Sequence, residues 1–487
     1  MIKNITKYVL FICLFITLFV GYFRVFNFKR SDGIYQMMKF YDEAPNSLDV
    51  IFLGSSHMFV NANTSVLWDE YGIASYDLGG SVQPYWNTYH YLVEAFKYQN
   101  PKVVVFDVFT AADVDEEYFS YENVIKNTYG LRFSANKIDA IKASVKEGDR
   151  DCYYYEYPTF HRRYLEDIDK KDFIFDFDDD YYMQNCWKGE TLMYGANSMP
   201  RPEDSVIYND TIGTLTEKNE KYLRKIIDLC KEKETPLVLV LNPYYVLEYQ
   251  MPFFNRVKAI AEETGTEYVN FNLMYDEIGV DFDNDFIDAC HMKYSGSEKF
   301  TRFLAENVLS NYEIIDKRGN KEYKSYDEMV DMYKKVTSYY DIGEETKFSK
   351  VMDKLNPEDA IIICTAQGNY QIDPDYEDYM RGLQIAGIDI TENPGNSAWV
   401  IDNGNVIFNS GNASNYSWRS RVSKYDTISV NSKEKMYDGD LPCVVPEVKV
   451  NSSMHLKADD GVQLMVYDKK LNSVMLDMSF SGIKEEE

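Results

Sequence analysis

Sulfur, imidazole and positive charge are all scarce in this chain. Of 487 residues, seven are cysteine and five are histidine. The cysteines are scattered with no Cys-x-x-Cys pair, which argues against a zinc site and against a dense disulfide framework and leaves at most one or two bridges open. A base that activates a nucleophile must be sought among His57, His90, His161, His291 and His455 if it is an imidazole. Lys and Arg number 51 against 79 acidic residues, a formal net charge of -28. Non-specific nucleic-acid binding needs a basic surface that displaces phosphate counterions, so that class is disfavoured. An anionic glycopolymer is also repelled on average, unless the site is locally basic. Hydrophobic residues are plentiful at 45%, enough for a sizeable core. The 42 tyrosines suit sugar stacking, although amphipathic filler accounts for most of them.

Residues 8–23 (YVLFICLFITLFVGYF) carry no charge, and apolar character resumes after Arg24. A spanning helix wants about 20 apolar residues, and an arginine at its end can snorkel to the interface. The sequence continues as RVFNFKRSDG without a small-x-small cleavage site, so a retained anchor over 1–30 is preferred to a cleaved signal peptide. Lys3 and Lys7 on one side and Arg24, Lys29 and Arg30 on the other leave the orientation open.

Short apolar runs follow at 49–53 (DVIFL), 74–78 (ASYDL), 103–106 (VVVF), 237–241 (LVLVL) and 268–271 (YVNF). Helical stretches lie between several of them. Pro84 suits a first-turn position, with Trp86, Tyr89, Val93 and Phe96 as the apolar stripe. Residues 214–217 read as a capping box for a helix ending near Cys230, and Gly265 closes a stripe of Phe253, Val257, Ile260 and Ala261. Strands alternating with helices predict an α/β fold with a doubly wound, mostly parallel sheet. In such sheets ligands bind at the carboxyl ends of the strands.

Gly54-Ser55-Ser56-His57 stands at the carboxyl end of the first run. A glycine there permits a sharp turn that exposes Ser56 as a nucleophile. Serine is a poor nucleophile until a base takes its proton. Adjacent side chains at a strand end tend to point apart, which disfavours His57. His291, in Asp288-Ala289-Cys290-His291 ahead of a helix with Phe300, Phe303, Leu304 and Val308 on its buried face, is the better base. Asp288, three residues earlier, can accept the ring N–H and fix the tautomer. Each motif alone is weak, since Gly-Ser-Ser is usually a turn and Asp-x-x-His usually a solvated loop. Together they fall on one edge of one sheet.

The stretches DVIFLGSSHMFV, SYDLGGSVQPYW, PKVVVFDV and DFIDACHMKYSGSEKF resemble the SGNH/GDSL hydrolase superfamily, in its branch of membrane-anchored proteins of cell-surface polysaccharide systems. That branch is similar to the alginate O-acetyltransferases and, more distantly, to the D-alanyl transfer protein of teichoic acid operons. The resemblance covers residues 49–309. It implies a three-layer, flavodoxin-like parallel sheet, with Ser56 as nucleophile, Asp288 and His291 as its partners, and the Ser56 and Gly80 N–H groups in the oxyanion hole. Two departures stand out. Ser55 replaces the family's usual Asp, and Phe109-Thr110-Ala111-Ala112 replaces the block whose Asn donates to the oxyanion. Gln83 is one candidate for a substitute donor.

A long insertion, about 113–213, separates the third and fourth runs, far more than an ordinary crossover. Its Phe160-His161-Arg162-Arg163-Tyr164 resembles a His-x-Arg-aromatic motif of the same branch, which implies His161 and Arg163 as substrate-binding residues; a surface salt bridge is an equal reading of Arg163. FDFDDDYY lacks the spacing and glycine of a calcium loop and reads as a solvated acidic segment. No metal and no cofactor is expected. Beyond Asn320 the character changes. A charged helical stretch (YDEMVDMYKKV) leads to strands at 360–364, 398–401, 406–408 and 462–467. The region resembles interleukin-like EMT inducer domains with their halves permuted, which implies carbohydrate binding. Trp418 and Tyr416 are candidates for stacking on a sugar, while Trp399 reads as core.

The expected organisation is therefore a membrane anchor at 1–30, an SGNH-like domain at 31–320 and a smaller α+β or α/β glycan-binding domain at 325–487. The expected activity is serine-dependent esterase or O-acyltransferase chemistry on acyl, chiefly acetyl, esters of an extracytoplasmic polysaccharide or other glycan. The resemblance further implies a multi-pass membrane-bound O-acyltransferase as partner and a location at the cell membrane with the bulk of the chain outside. The alternative is a catalytically inactive, membrane-anchored glycan-binding accessory protein.

Overall fold

The structure, a computed structural model, describes residues 2–26, 32–113, 120–154, 186–195, 197–368, 370–389, 396–411, 413–435, 443–456 and 461–481. His161, Arg163 and FDFDDDYY lie outside these residues. The chain divides into two compact units, with the boundary between Tyr333 and Lys334.

In the first unit the apolar runs become the strands β1 (Val50–Leu53), β2 (Ser75–Asp77), β3 (Val103–Asp107), β6 (Leu237–Leu241) and β7 (Glu267–Asn270), with a small antiparallel hairpin of β4 (Cys186–Trp187) and β5 (Glu190–Thr191) in the insertion. Every residue of β1, β3 and β6 is buried. Strands apolar on both faces need cover on both faces, which a helix-flanked parallel sheet provides. The sheet has the order β2-β1-β3-β6-β7, and every neighbouring pair is parallel. Counted within the sheet, this is the doubly wound order 2-1-3-4-5. The chain leaves β1 in one direction to β2 and returns on its other side to β3. A crevice at the carboxyl ends is expected beside β1 in this topology.

The helices of this unit begin with α1 (Ile2–Phe26), α2 (Ile34–Phe40), α3 (Ser56–Asn61), α4 (Thr64–Tyr71) and α5 (Tyr85–Ala95). Pro84 is the N-cap of α5 rather than its first residue. The helix Glu217–Glu232 is capped by Thr216, whose hydroxyl accepts from the Asn219 N–H at 3.1 Å. Thr214 is therefore not the cap. Leu215 is buried between the two threonines, so the chain is still entering the core and the helix begins only after it. Gly265 does close the helix Met251–Thr264, in the left-handed region at φ 65°.

Part of the insertion packs back onto the sheet. Asp77 N–H donates to the Lys188 carbonyl at 2.8 Å. Gly189, at φ 88°, has no room for a β-carbon against the Asp77 backbone. The β4–β5 turn is thereby laid on the β2 edge.

The unit boundary falls inside the helix Lys324–Gly343. The reason lies in its first half. Tyr326 OH donates to the Ser75 carbonyl at 3.0 Å, and Trp68 Nε1 donates to Asp327 at 2.9 Å. These bonds make the start of the helix part of the first unit.

The second unit holds β8 (Ala360–Gln367), β9 (Ser397–Asp402), β10 (Asn405–Asn409), β11 (Ser417–Arg421), β12 (Thr427–Lys435), β13 (Cys443–Val450), β14 (Ser453–His455), β15 (Gly461–Asp468) and β16 (Ser473–Phe480). They form two antiparallel sheets, β10-β9-β8-β15-β16 and β11-β12-β13-β14. Ile363, Val400 and Met465 of the first sheet share a core with Ile428, Val430 and Val448 of the second. With the helices Phe348–Lys354 and Tyr376–Ile385 this is an α+β unit. Trp399 and Tyr416 are both buried, and Trp418 is half-buried against the same core.

Candidate active site

The loop that carries Ser56, the candidate nucleophile, is built by one glycine and one short helix. Gly54 sits at φ 150°, where a β-carbon would come within 3.0 Å of Met58 Cβ and 3.1 Å of Asp107 Cβ. Only glycine fits that conformation and that space. The chain then enters α3 at Ser56, with Ser55 as N-cap accepting from the His57 N–H at 3.3 Å. Among residues 48–68, all of them described, Ser56 is the only one that is not buried. Its hydroxyl is thus presented while its neighbours are core.

His291 arrives from the loop ahead of the helix Tyr294–Asn307. Its Nε2 lies 2.8 Å from Ser56 Oγ, and its Nδ1 lies 2.8 Å from Asp288 Oδ2. Asp288 Oδ1 also accepts the backbone N–H groups of Cys290 at 2.8 Å and His291 at 2.9 Å. Burial works to raise the Asp288 pKa, but the hydrogen bonds from the His291 ring and these two amides outweigh it and hold the carboxyl at about 2. An ionised Asp288 therefore keeps the proton on Nδ1 and leaves Nε2 as the acceptor toward Ser56. The three residues singled out from the sequence meet in space.

Asn61, the last residue of α3, was not singled out by the sequence. Its Oδ1 accepts the Met292 N–H at 2.9 Å and its Nδ2 donates to the Cys290 carbonyl at 3.3 Å. Tyr245 N–H holds the Ala289 carbonyl at 2.9 Å from the other side. One short helix thus carries Ser56 at its start and pins the loop that bears His291 at its end. Asn61 lies five positions after Ser56, a spacing that gave no signal without the fold.

His57 points away from Ser56 into the core. Its Nδ1 bonds Asp107 Oδ2 at 2.8 Å, both side chains are 0% exposed, and the ring stacks on Phe109 at a centroid distance of 4.4 Å. Asn242 Nδ2 donates to the His57 carbonyl at 3.1 Å. This pair ties the start of α3 to the end of β3.

The two expected oxyanion donors differ. The Ser56 N–H has no acceptor among the described residues. The Gly80 N–H is spent, donating to the Gly54 carbonyl at 3.2 Å, so in this geometry it does not face an oxyanion. The Gly79 N–H is spent as well, on Asp77 Oδ1 at 2.8 Å. Burial pushes the Asp77 carboxyl well above the usual carboxylate range. Among the described residues no group of three or more His, Cys, Asp or Glu side chains is placed to hold a metal ion.

No protein-family model matches the chain, and no curated protein matches it.

Proposed function

We propose that this protein is a serine-dependent esterase or O-acyltransferase working through an acyl-serine intermediate. The observation that carries the reading is the unbroken relay from Asp288 through His291 to Ser56 Oγ, with both links at 2.8 Å. Ser56 Oγ attacks the ester carbonyl as its proton passes to His291 Nε2. The tetrahedral intermediate collapses, the C–O bond to the leaving alcohol breaks, and His291 returns the proton to that alcohol. An acceptor hydroxyl then gives its proton to His291 and attacks the acyl-serine; the bond from the acyl carbon to Ser56 Oγ breaks, and His291 returns that proton to Oγ. Water as acceptor makes the protein an esterase; a glycan hydroxyl makes it a transferase.

The substrate in this reading is an acetylated polysaccharide or other acylated glycan. The first helix, α1, is long and apolar enough to cross a membrane, and its window Ile5–Tyr22 is unburied. In this proposal it anchors the chain with the bulk outside the cytoplasm. Acetyl-CoA is absent there, so transfer needs a multi-pass acyltransferase to deliver the acyl group across the membrane. The second unit is assigned to glycan binding in the same scheme.

A fluorophosphonate probe on the full-length protein in detergent, followed by peptide mapping, tests the site. Labelling is expected at Ser56 and is expected to disappear in His291→Ala. A wild-type protein that labels nowhere, or at another serine alone, overturns the assignment. Deleting the protein from its cell then separates the two chemistries: polymer acetylation falls for a transferase and rises for an esterase.

A further inference from the structure

A proton relay works only at the separation its members are held at, and misplacing a reacting group by about 1 Å can cost roughly 10²-fold in rate. Here the two ends of the relay come from segments 235 positions apart. The helix α3 carries Ser56 as its first residue and Asn61 as its last, about 7.5 Å apart along the axis at roughly 1.5 Å per residue. Its start is tied to the sheet, since His57 Nδ1 bonds Asp107 at 2.8 Å and the His57 carbonyl accepts from Asn242 Nδ2 at 3.1 Å. Its end is Asn61, which is 0% exposed. Asn61 Oδ1 accepts the Met292 N–H at 2.9 Å, and Nδ2 donates to the Cys290 carbonyl at 3.3 Å. One partner is an N–H and the other a carbonyl, so the contacts themselves settle which end of the amide is nitrogen. The two bonds grip the backbone on either side of residue 291.

The other backbone bonds of this loop run elsewhere. Ile287 N–H donates to the His291 carbonyl at 3.0 Å, and Tyr245 N–H, from the segment after β6, donates to the Ala289 carbonyl at 2.9 Å. Asp288 Oδ1 takes the Cys290 and His291 N–H groups. These bonds shape the loop, whereas the Asn61 amide joins it to the helix that presents Ser56. The helix Tyr294–Asn307 has a tie of its own, because Thr301 Oγ1 accepts the Asn63 N–H at 2.9 Å. Loss of the Asn61 amide therefore loosens residue 291 against α3 and leaves the tie between Asn63 and that helix in place. A buried, fully bonded amide is also what a plain structural brace looks like; the two roles part in what they do to the rate.

We propose, resting on the acyl-serine reading, that Asn61 is a positioning residue: it holds the backbone of residue 291 to α3 and so sets the reach of His291 Nε2 to Ser56 Oγ. The test is steady-state hydrolysis of a chromogenic acetyl ester by the full-length chain in detergent, with the rate of fluorophosphonate labelling at Ser56 measured beside it. Complete labelling counts the folded sites, so kcat is expressed per labelled site. Asn61→Ala is expected to lower that kcat about 10²-fold with KM little changed. The labelling rate is expected to fall by the same factor, because phosphonylation of Ser56 also needs His291 to take its proton. Asn61→Asp has nearly the same shape and still accepts from Met292, but once ionised it cannot donate to the Cys290 carbonyl. It is expected to lose rate in the same way, and it decides the matter if the alanine variant does not fold. A lower melting temperature with wild-type kcat per labelled site overturns the proposal, since that pattern marks a brace with no part in the rate. A raised KM with an unchanged labelling rate also overturns it, since that pattern marks a substrate contact. If Ser56→Ala hydrolyses the ester as fast as wild type, the acyl-serine reading itself fails and the positioning role falls with it, an outcome distinct from the other two.

Discussion

Two imidazole–carboxylate pairs flank Ser56, one through its neighbour in sequence, His57, and one through its partner in space, His291, and their surroundings differ. His57 and Asp107 are both 0% exposed, whereas the His291 and Asp288 side chains are 23% and 51% exposed. A base that passes protons to an incoming acceptor must meet solvent and substrate, so His291 qualifies and His57 holds structure. Asp288→Asn should keep the fold and lower kcat about 10⁴-fold, because the amide favours the wrong ring tautomer. Ester hydrolysis at saturating substrate checks this, and a rate within a few-fold of wild type removes Asp288 from the mechanism. The pH profile is a companion measurement. With the Asp288 carboxyl held at about 2, this group stays ionised throughout the range in which an imidazole titrates. The acid limb of kcat/KM should therefore have a slope of one, from a single proton.

At the scale of the element, the start of α4 depends on a distant segment. Asn63 caps it conventionally, accepting the Val66 N–H at 2.9 Å. Glu190, on β5, adds a second cap by accepting from the Thr64 hydroxyl at 2.6 Å and the Ser65 N–H at 2.9 Å. Burial raises the Glu190 pKa to about 7, against the lowering effect of those hydrogen bonds. The sign of the linkage follows. A carboxyl whose folded pKa is raised contributes stability that is fully present below the unfolded value of 4.5 and is lost as pH rises to about 7. The loss amounts to about 3 kcal/mol, from roughly 1.4 kcal/mol per pKa unit. Glu190→Gln keeps an oxygen for Thr64 and Ser65 and cannot ionise. Urea unfolding of this variant should show a flatter dependence between pH 5 and 8, with the gain over wild type appearing at pH 8. Equal losses in wild type and variant across that range would show that Glu190 is not the group responsible.

At the scale of the molecule, α1 is a segment at odds with water. Leu10, Phe11, Leu14 and Leu18 of α1 are exposed, although the helix has the composition of a membrane span or a signal sequence. Carbonate extraction should leave the full-length protein with the membrane, and removal of residues 1–30 should release it. Intact-mass measurement of the mature protein decides between anchor and cleaved signal, since recovery of a chain without α1 overturns the anchor. The formal net charge of -28 repels polyanions such as nucleic acid on average.

What the sequence by itself determined is local in character. The runs VIFL, VVVF and LVLVL are apolar on both faces and had to become buried strands of a covered parallel sheet. Gly54 needs its own conformation, and Asp288 and His291 sit three residues apart on one loop, so their contact is nearly guaranteed by chain geometry. The second sheet of the C-terminal unit is not legible in the sequence because β11 (SWRSR) carries one apolar residue and β12 (TISVNSKEK) two, so no apolar run marks them. The helix cap at Thr216 was misplaced by two residues because burial of Leu215 decided where the chain could turn. Tertiary structure alone brought His291 to Ser56, 235 positions away. It alone spent the Gly80 amide on Gly54 and set Asn61 against the loop that bears His291. Each of these is a hydrogen bond between groups from different segments, made or withheld within a few tenths of an ångström. Pattern and propensity say which groups are available; the packing of the sheet and its helices decides which of them come within reach.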